Sequence, residues 1–416
     1  MSCKRVVVTG YGALSSMGEN SQQIWDGILN YKLGYKKIVF EDKDIIAKFY
    51  GFIEPDNQRY AKFQKRLRKV LPIHALYALV ASDEALNMAF GDASAMNDIF
   101  EPTDLGVIIG TGWGGIDESN DASVTYYTEN YCSAFDTLKN MNNVATAAVS
   151  MNWGMRGYHN TPVAACATGT MAIGEAYDAI RSGRAKLVLA GGTESIRAPA
   201  NIRPIDSIQA LSREQEDETR ACCPFSKERS GFVLSDGSAV LCLEELESAK
   251  QRKATIFGEI TGYGNYADAF DMTAPAEDMI SRVAAMRTAL TQAGITPEQL
   301  DYINAHGTST SLNDFNESQS YKEALGSAAY NIPISSTKSY TGHLIGAAGA
   351  LEAIFCLKVL DSGTIPATYH LNTPDPKCDL NYVPNQHMFN QKVDRVLNVS
   401  FGFGGSNCAV VIERCR

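Results

Sequence analysis

Positive charge is in short supply in this chain: 37 lysines and arginines stand against 47 aspartates and glutamates, for a net charge of −10. That balance argues against a nucleic-acid partner, whose phosphates it would repel. Long apolar runs are missing as well. None approaches the ~18 residues of a membrane-crossing helix, and Met1 to Arg5 lead straight into Val6-Val7-Val8, too short for a signal-peptide core. The expectation is a protein without membrane attachment, placed in the cytoplasm. No Cys-x-x-Cys pair occurs among the ten cysteines, and Cys222 and Cys223 are adjacent. Such spacing suggests neither a zinc site nor a disulfide framework, and fits thiols kept reduced. No stretch is polar or repetitive enough to read as disordered.

What is present is a large potential core. The chain has 416 residues, 45% of them hydrophobic, enough for two domains or one large double unit. Val6-Val7-Val8, closed by Gly10-Tyr11-Gly12, reads as a buried strand entering a turn. A helix from Ile73 to Ala89 and a strand from Gly106 to Gly110 follow, and strands alternating with helices imply an α/β fold. Gly10-Tyr11-Gly12 lacks the third glycine of a dinucleotide-binding turn.

The two halves echo each other. Pro162-Val163-Ala164-Ala165 meets Cys166 and then a helix of small residues from Gly169 to Ile180. Ile332-Pro333-Ile334-Ser335 leads through Lys338 and His343 into another, from Gly346 to Leu360. Each is followed by a strand that ends in glycines, Leu187 to Gly192 and Val396 to Ser400 before Gly402. This order predicts a duplicated architecture with a seam between Leu246 and Gly258, dividing the chain into residues 1–253 and 254–416.

Cys166 lies among small residues, just after the strand that Pro162 to Ala165 is read as and just before a helix. A helix N-terminus there offers free N–H groups and a partial positive charge, which favour thiolate over thiol. A small core cysteine is an equal alternative on this segment alone. Histidine is scarce, at six. His306, in Asn304-Ala305-His306-Gly307-Thr308-Ser309-Thr310, and His343, in Lys338-Ser339-Tyr340-Thr341-Gly342-His343, lie in small-residue loops that let a substrate approach. His74 falls inside a helical pattern, and His159, His370 and His387 lie in loops without partners. One cysteine and two histidines are metal-ligand types, but their separation carries no metal signature. Covalent catalysis is the better reading: a thiolate accepts an acyl group, and imidazoles donate hydrogen bonds to, or take protons from, a second substrate. Lys338 can pair with Glu352. Ser400 to Asn407 reads as a flexible glycine turn carrying aromatics, whose N–H groups can face a developing oxyanion.

The motifs Ala-Cys-Ala-Thr-Gly, Asn-Ala-His-Gly-Thr-Ser-Thr, Ser-Thr-Lys-Ser-x-Thr-Gly-His-x-x-Gly-Ala-Ala-Gly and Phe-Gly-Phe-Gly-Gly-Ser-Asn, in this order, resemble the elongating condensing enzymes of the β-ketoacyl-acyl carrier protein synthase II type. The likeness runs from Val6 to Val411 and includes Pro224 to Val233. It implies a thiolase-type, five-layered α-β-α-β-α fold with duplicated halves. The reaction implied is decarboxylative condensation of an acyl group with malonyl-acyl carrier protein in fatty acid elongation. The resemblance makes Cys166 the acyl-carrying nucleophile and His306 and His343 the pair that drives decarboxylation. Lys338 orders that network, with Glu352 as its acidic member. Thr308 and Thr310 would hold the phosphopantetheine arm. Phe403, with Phe401, would form the gate, and the N–H groups of Phe403 and Cys166 the oxyanion hole. Trp113 and Ile205 would line the acyl pocket. No dissociable cofactor and no metal are implied. The partners implied are acyl carrier protein and a second copy of the chain, with a related non-catalytic subunit as the alternative.

Departures from the family pattern are Ser230 in Arg229-Ser230-Gly231-Phe232, Tyr158-His159-Asn160 where a Gly-Pro usually precedes the active-site strand, Gln209 before Ala210-Leu211-Ser212, and Trp113 where a small aliphatic residue is usual. They leave acyl length open and admit a specialised polyketide or polyene pathway. Cys408 could suggest a thiolase with a second active cysteine, but its setting before Ala409-Val410-Val411-Ile412 is that of a buried strand. The acidic chain needs a local basic patch to dock a carrier, and Lys62, Lys65, Arg66, Arg68 and Lys69 form the best candidate. A solvated helix face is the plainer reading of that run.

Overall fold

A computed structural model of the chain describes residues 3–415. The first half contributes β1 (Val6–Ser15), α1 (Ile73–Phe90), β2 (Leu105–Gly110), α2 (Val144–Trp153), β3 (His159–Asn160), α3 (Thr168–Arg181), β4 (Leu187–Glu194) and β5 (Gly237–Glu245). The second contributes β6 (Gly258–Ala267), α4 (Ile280–Ala293), β7 (Tyr302–Asn304), α5 (Ser311–Leu325), β8 (Ile334–Ser335), α6 (Ala348–Ser362), β9 (Arg395–Gly402) and β10 (Ser406–Glu413).

Strand order exposes the duplication. The first half runs β1-β5-β4-β2-β3 and the second β6-β10-β9-β7-β8. In both, the first two pairings are antiparallel and the last two parallel. The halves join where Val6, Val7 and Val8 pair antiparallel with Ile260, Glu259 and Gly258.

Alternation along the strands sorts residues into three cores. Val188 and Ala190 face the middle with Val410 and Ile412, where α3 and α6 pack. Leu187 and Leu189 face outward under α1 and α2. Ala409 and Val411 face the opposite side under α4 and α5. The result is the five-layered α-β-α-β-α arrangement that the resemblance implies. Every residue of α6 from Ala348 to Leu360 is buried, as a helix enclosed by the two halves of the sheet and a partner helix requires. Its close crossing with α3 depends on Gly169, where a Cβ would sit 2.7 Å from the Ala350 nitrogen.

Several local expectations are corrected. Gly10 and Gly12 do not turn the chain: β1 runs through them to Ser15. They lie under α1, where a Cβ on either would come within 2.2 Å of the Ala85 or Ala81 carbonyl oxygen, so glycine here serves close packing. β4 likewise continues past its glycines to Glu194. The run Pro162 to Ala165 is not a strand. The strand before Cys166 is only the edge pair His159–Asn160, and the Ala164 N–H donates to Thr168 Oγ1 at 2.8 Å. Phe401 lies in the β9 ladder opposite Asn407, so the flexible turn expected over Ser400 to Asn407 is reduced to a tight one over Phe403–Gly405. Among the described residues, no helix is long and apolar enough to cross a membrane.

Candidate active site

Cys166 occupies a one-turn helix, Ala165–Ala167, that feeds α3. The residue before it, Ala165, is forced to φ +46°, a strained conformation for a residue with a Cβ. The second half repeats the device at Ile345–Ala347, where Ile345 has φ +48° ahead of α6. Cys166 therefore has Gly346 as its counterpart, rather than Lys338 or His343 as the sequence echo suggests. Both turns meet at the middle of the molecule, beside the β9–β10 turn.

The structure brings the three predicted reactive residues together. Cys166 Sγ and one ring nitrogen each of His306 and His343 lie within 4.8 Å of one another, all buried. His306 follows β7, and its loop is pinned by Glu317, which accepts the His306 and Gly307 N–H groups at 2.7 and 2.8 Å. The two imidazoles stand at 83° with centroids 5.4 Å apart.

Hydrogen bonding assigns their tautomers. The Ile345 N–H donates to His343 Nδ1 at 3.3 Å, which places the His343 proton on Nε2, an atom with no partner of its own. Lys338 Nζ lies 3.4 Å from His306 Nδ1 and donates to the His306 carbonyl oxygen at 2.6 Å, so His306 also carries its proton on Nε2. Burial first, then the Lys338 charge, holds both imidazoles well below their ordinary pKa. Two neutral N–H donors result. Lys338 is itself anchored by Glu352, whose carboxyl is pushed up to about 7 by burial against the pull of Lys338.

The expectation of a standing thiolate is corrected. Burial pushes the Cys166 thiol up to about 12, against the opposing pull of Lys338 and of the Phe403 and Cys166 N–H groups. Desolvation outweighs the helix end, so the resting sulfur keeps its proton. Sequence separation was also no guide to metal binding, because folding does collect a cysteine and two histidines. The neighbouring Lys338 charge opposes a second cation among them.

A cavity of about 410 Å³ opens onto this cluster, lined by Cys166, His306, His343, Thr308, Thr310, Phe401 and Phe403. Thr308 and Thr310 hydroxyls are 3.0 Å apart, and Thr310 also caps α5 by accepting the Asn313 N–H. Trp113 and Ile205 stand outside that lining. They pack with Phe232 and Ile345 into an apolar cluster that includes Cys166. Ser230 and Gln209 line the cavity. His74, His159, His370 and His387 all lie elsewhere. His159 sits in the exposed edge strand β3, which corrects its reading as a loop residue. Cys408 is buried in β10 opposite Ser400.

Sequence reasoning missed three charged residues here. Glu317 pins the His306 loop. Glu194, at the end of β4, accepts from Gly112 N at 2.6 Å, Thr111 Oγ1 at 2.9 Å, and Trp113 and Gly346 N at 3.3 Å. It thus ties the Trp113 turn to the turn preceding α6, and burial pushes its carboxyl up to about 7. The third is Arg282, on α4. Glu194 was signalled only by a lone acid closing an apolar run.

Comparison with known proteins agrees with this geometry. Residues 3–249 match the family described as "Beta-ketoacyl synthase, N-terminal domain" and residues 257–372 its C-terminal domain. A 3-oxoacyl-[acyl-carrier-protein] synthase 2 from a Synechocystis species is 39% identical over 99% of this chain and 98% of its own. A solved type II polyketide synthase acyl carrier protein in complex with its ketosynthase, bound to the hexaketide, is similar at TM-score 0.90 and 32% identity, covering 100% of both chains. The ishigamide ketosynthase/chain length factor structure matches at TM-score 0.89 and 28% identity, again over 100% of both chains. With both of its halves matched and a thiol and two imidazoles at its centre, the chain belongs to the beta-ketoacyl synthase family, condensing enzymes of the acyltransferase class.

Proposed function

We propose that the chain joins an acyl group held on Cys166 to a malonyl group delivered by acyl carrier protein, releasing CO₂ and a β-ketoacyl carrier product, in fatty acid elongation. The observation that carries this reading is the buried Cys166 sulfur beside two imidazoles held neutral with their N–H groups free to donate.

The sulfur attacks the carrier thioester, a new Cys166 thioester forms, and the proton leaves on the departing pantetheine thiol. The N–H groups of Cys166 and Phe403 hold the tetrahedral oxyanion. Malonyl thioester then replaces the first carrier. Its carboxylate departs as CO₂, and the electron pair moves into an enolate whose oxygen accepts from His306 and His343 Nε2–H. The enolate carbon attacks the Cys166 thioester, and the sulfur leaves as thiolate to regain a proton from solvent. Lys338, held by Glu352, keeps His306 in the donating tautomer. Thr308 and Thr310 hold the pantetheine arm, Phe401 and Phe403 gate the cavity, and Trp113 and Ile205 bound the acyl chain.

The carrier brings both substrates, so no dissociable cofactor is required. The exposed basic face Lys62, Lys65, Arg66 and Lys69 is charge-complementary to an acidic carrier, and a homodimer is the assembly in this reading. Ten unpaired cysteines fit the reducing cytoplasm.

Mass spectrometry of carrier-bound products tests the reaction. Acyl-carrier and malonyl-carrier should give one β-ketoacyl species extended by two carbons, with one CO₂ released per turnover. Failure to form that species with any acyl length would refute it. Likeness to the polyketide and chain length factor structures favours a second reading, a ketosynthase of a specialised type II polyketide or polyene pathway working with a related subunit. Repeated extension that requires a second, related chain would select it.

A further inference from the structure

Arg282 lines the cavity, and its charge has no part in the condensation steps. It sits in the first turn of α4, only 5% exposed, and lines the cavity beside His306 and Phe401. Its guanidinium carbon lies 4.2 Å from the centre of the Phe401 ring, and that ring meets the His306 ring at 5.9 Å. Nε and Nη1 are buried and make no hydrogen bond. The nearby acids are engaged elsewhere. Glu317 holds the His306 loop, Asp268 accepts from Asn407 Nδ2 at 2.7 Å and Ala276 N at 3.2 Å, and Asp314 accepts from Phe225 N at 2.9 Å.

A buried guanidinium without a hydrogen-bonded anion is costly, and a neutral thioester does nothing to relieve it. We propose that Arg282 recognises the free carboxylate of the extender unit, making it a specificity-determining residue that selects a dicarboxylic thioester over a neutral one. This rests on the condensing reading of the site. Burial lowers the guanidinium only to about 10, so it is cationic at neutral pH. With the thioester oxygen on His306 and His343, the carboxylate end must lie elsewhere in the same cavity, where Arg282 offers planar paired donors. The contact acts on the ground state. Charge leaves the carboxylate during decarboxylation, so Arg282 tightens binding of the extender without speeding loss of CO₂.

The test compares binding of amide-linked malonyl-pantetheine with that of its neutral methyl ester, neither of which carries a phosphate or can acylate a thiol. Wild-type enzyme should favour the acid by about 10–100-fold, the worth of a charged hydrogen-bonded contact. Arg282→Ala and Arg282→Met should lose that preference, and Arg282→Lys should keep part of it. In turnover, Arg282→Ala should raise KM for malonyl-carrier by a similar factor without lowering kcat. Equal binding of acid and ester by the wild type overturns the proposal, as does an undiminished preference in either neutral variant or a fall in kcat at constant KM. If Arg282→Ala does not fold, Arg282→Met, which keeps the side-chain length, decides the matter. Failure of wild-type enzyme to load acyl groups on Cys166 would strike the condensing reading instead, because the analogue comparison needs no acyl transfer.

Discussion

Replacing Lys338 with methionine should separate the architecture of the site from its chemistry. Lys338 donates to the His306 carbonyl oxygen at 2.6 Å, approaches His306 Nδ1 at 3.4 Å and pairs with Glu352, all in the protein interior. Removing one member of a buried pair costs about 3–5 kcal/mol when the other stays charged. Glu352 has an escape, since its carboxyl already stands at about 7 and rises further once Lys338 is gone. A carboxyl raised above its unfolded value of 4.5 binds more protons folded than unfolded, so stability falls as pH rises through that window. In the wild type this contribution ends near pH 7. In Lys338→Met the decline should continue to higher pH, and Tm measured from pH 5 to 9 reads it directly. The apolar double variant Lys338→Met/Glu352→Leu removes the stranded acid and should regain most of the lost stability. Decarboxylation should not return with it, because His306 Nδ1 still lacks its donor and the tautomer is no longer fixed. Loss of one transition-state donor costs about 10²–10³ in rate. Radiolabelled CO₂ release from malonyl-carrier is the assay. Wild-type release by the double variant would refute the tautomer argument.

His343→Ala should lower malonyl decarboxylation by about 10²–10³ while acyl transfer to Cys166 persists, and an unchanged release rate in the CO₂ assay would remove His343 from the enolate site. Trp113→Gly and Trp113→Ile should widen the range of acyl lengths loaded onto Cys166, at some cost in stability from the cavity left behind; mass spectra showing an unchanged length profile in folded variants would exclude Trp113 from the acyl pocket. His74 is fully buried, neither ring nitrogen has a partner, and burial lowers it to about 4. The unfolded chain therefore takes up a proton below pH 6.5 that the fold resists, and this one group should withdraw about 3 kcal/mol of stability between pH 6.5 and 4. Denaturant titrations of His74→Leu should show a visibly shallower loss over that range, and an identical slope would contradict the assignment.

The residues that perform chemistry were legible because each stands in an unusual local setting: a cysteine before a small-residue helix, histidines beside glycine. The duplication was legible because both halves repeat strand, turn, buried helix and strand. What escaped depends on contacts between distant segments. Gly10 and Gly12 read as turn signals until α1 is laid across them. The ionisation of Cys166 could not be read from its helix, because the burial that governs it comes from segments far apart in sequence, Ile205 and Phe232 in one half and Ile345 in the other. Glu194 and Arg282 look like ordinary charges in sequence. Only packing shows that one gathers N–H groups from two turns and that the other is left without an anion.

The nucleophile is the centre of this account, and intact-protein mass spectrometry after incubation with acyl-carrier tests it most directly. The account predicts one added acyl mass per chain, mapped by peptide digestion to Cys166 and absent from Cys166→Ala. Stoichiometric acylation of Cys166→Ala, or an adduct mapping to another cysteine, would contradict it.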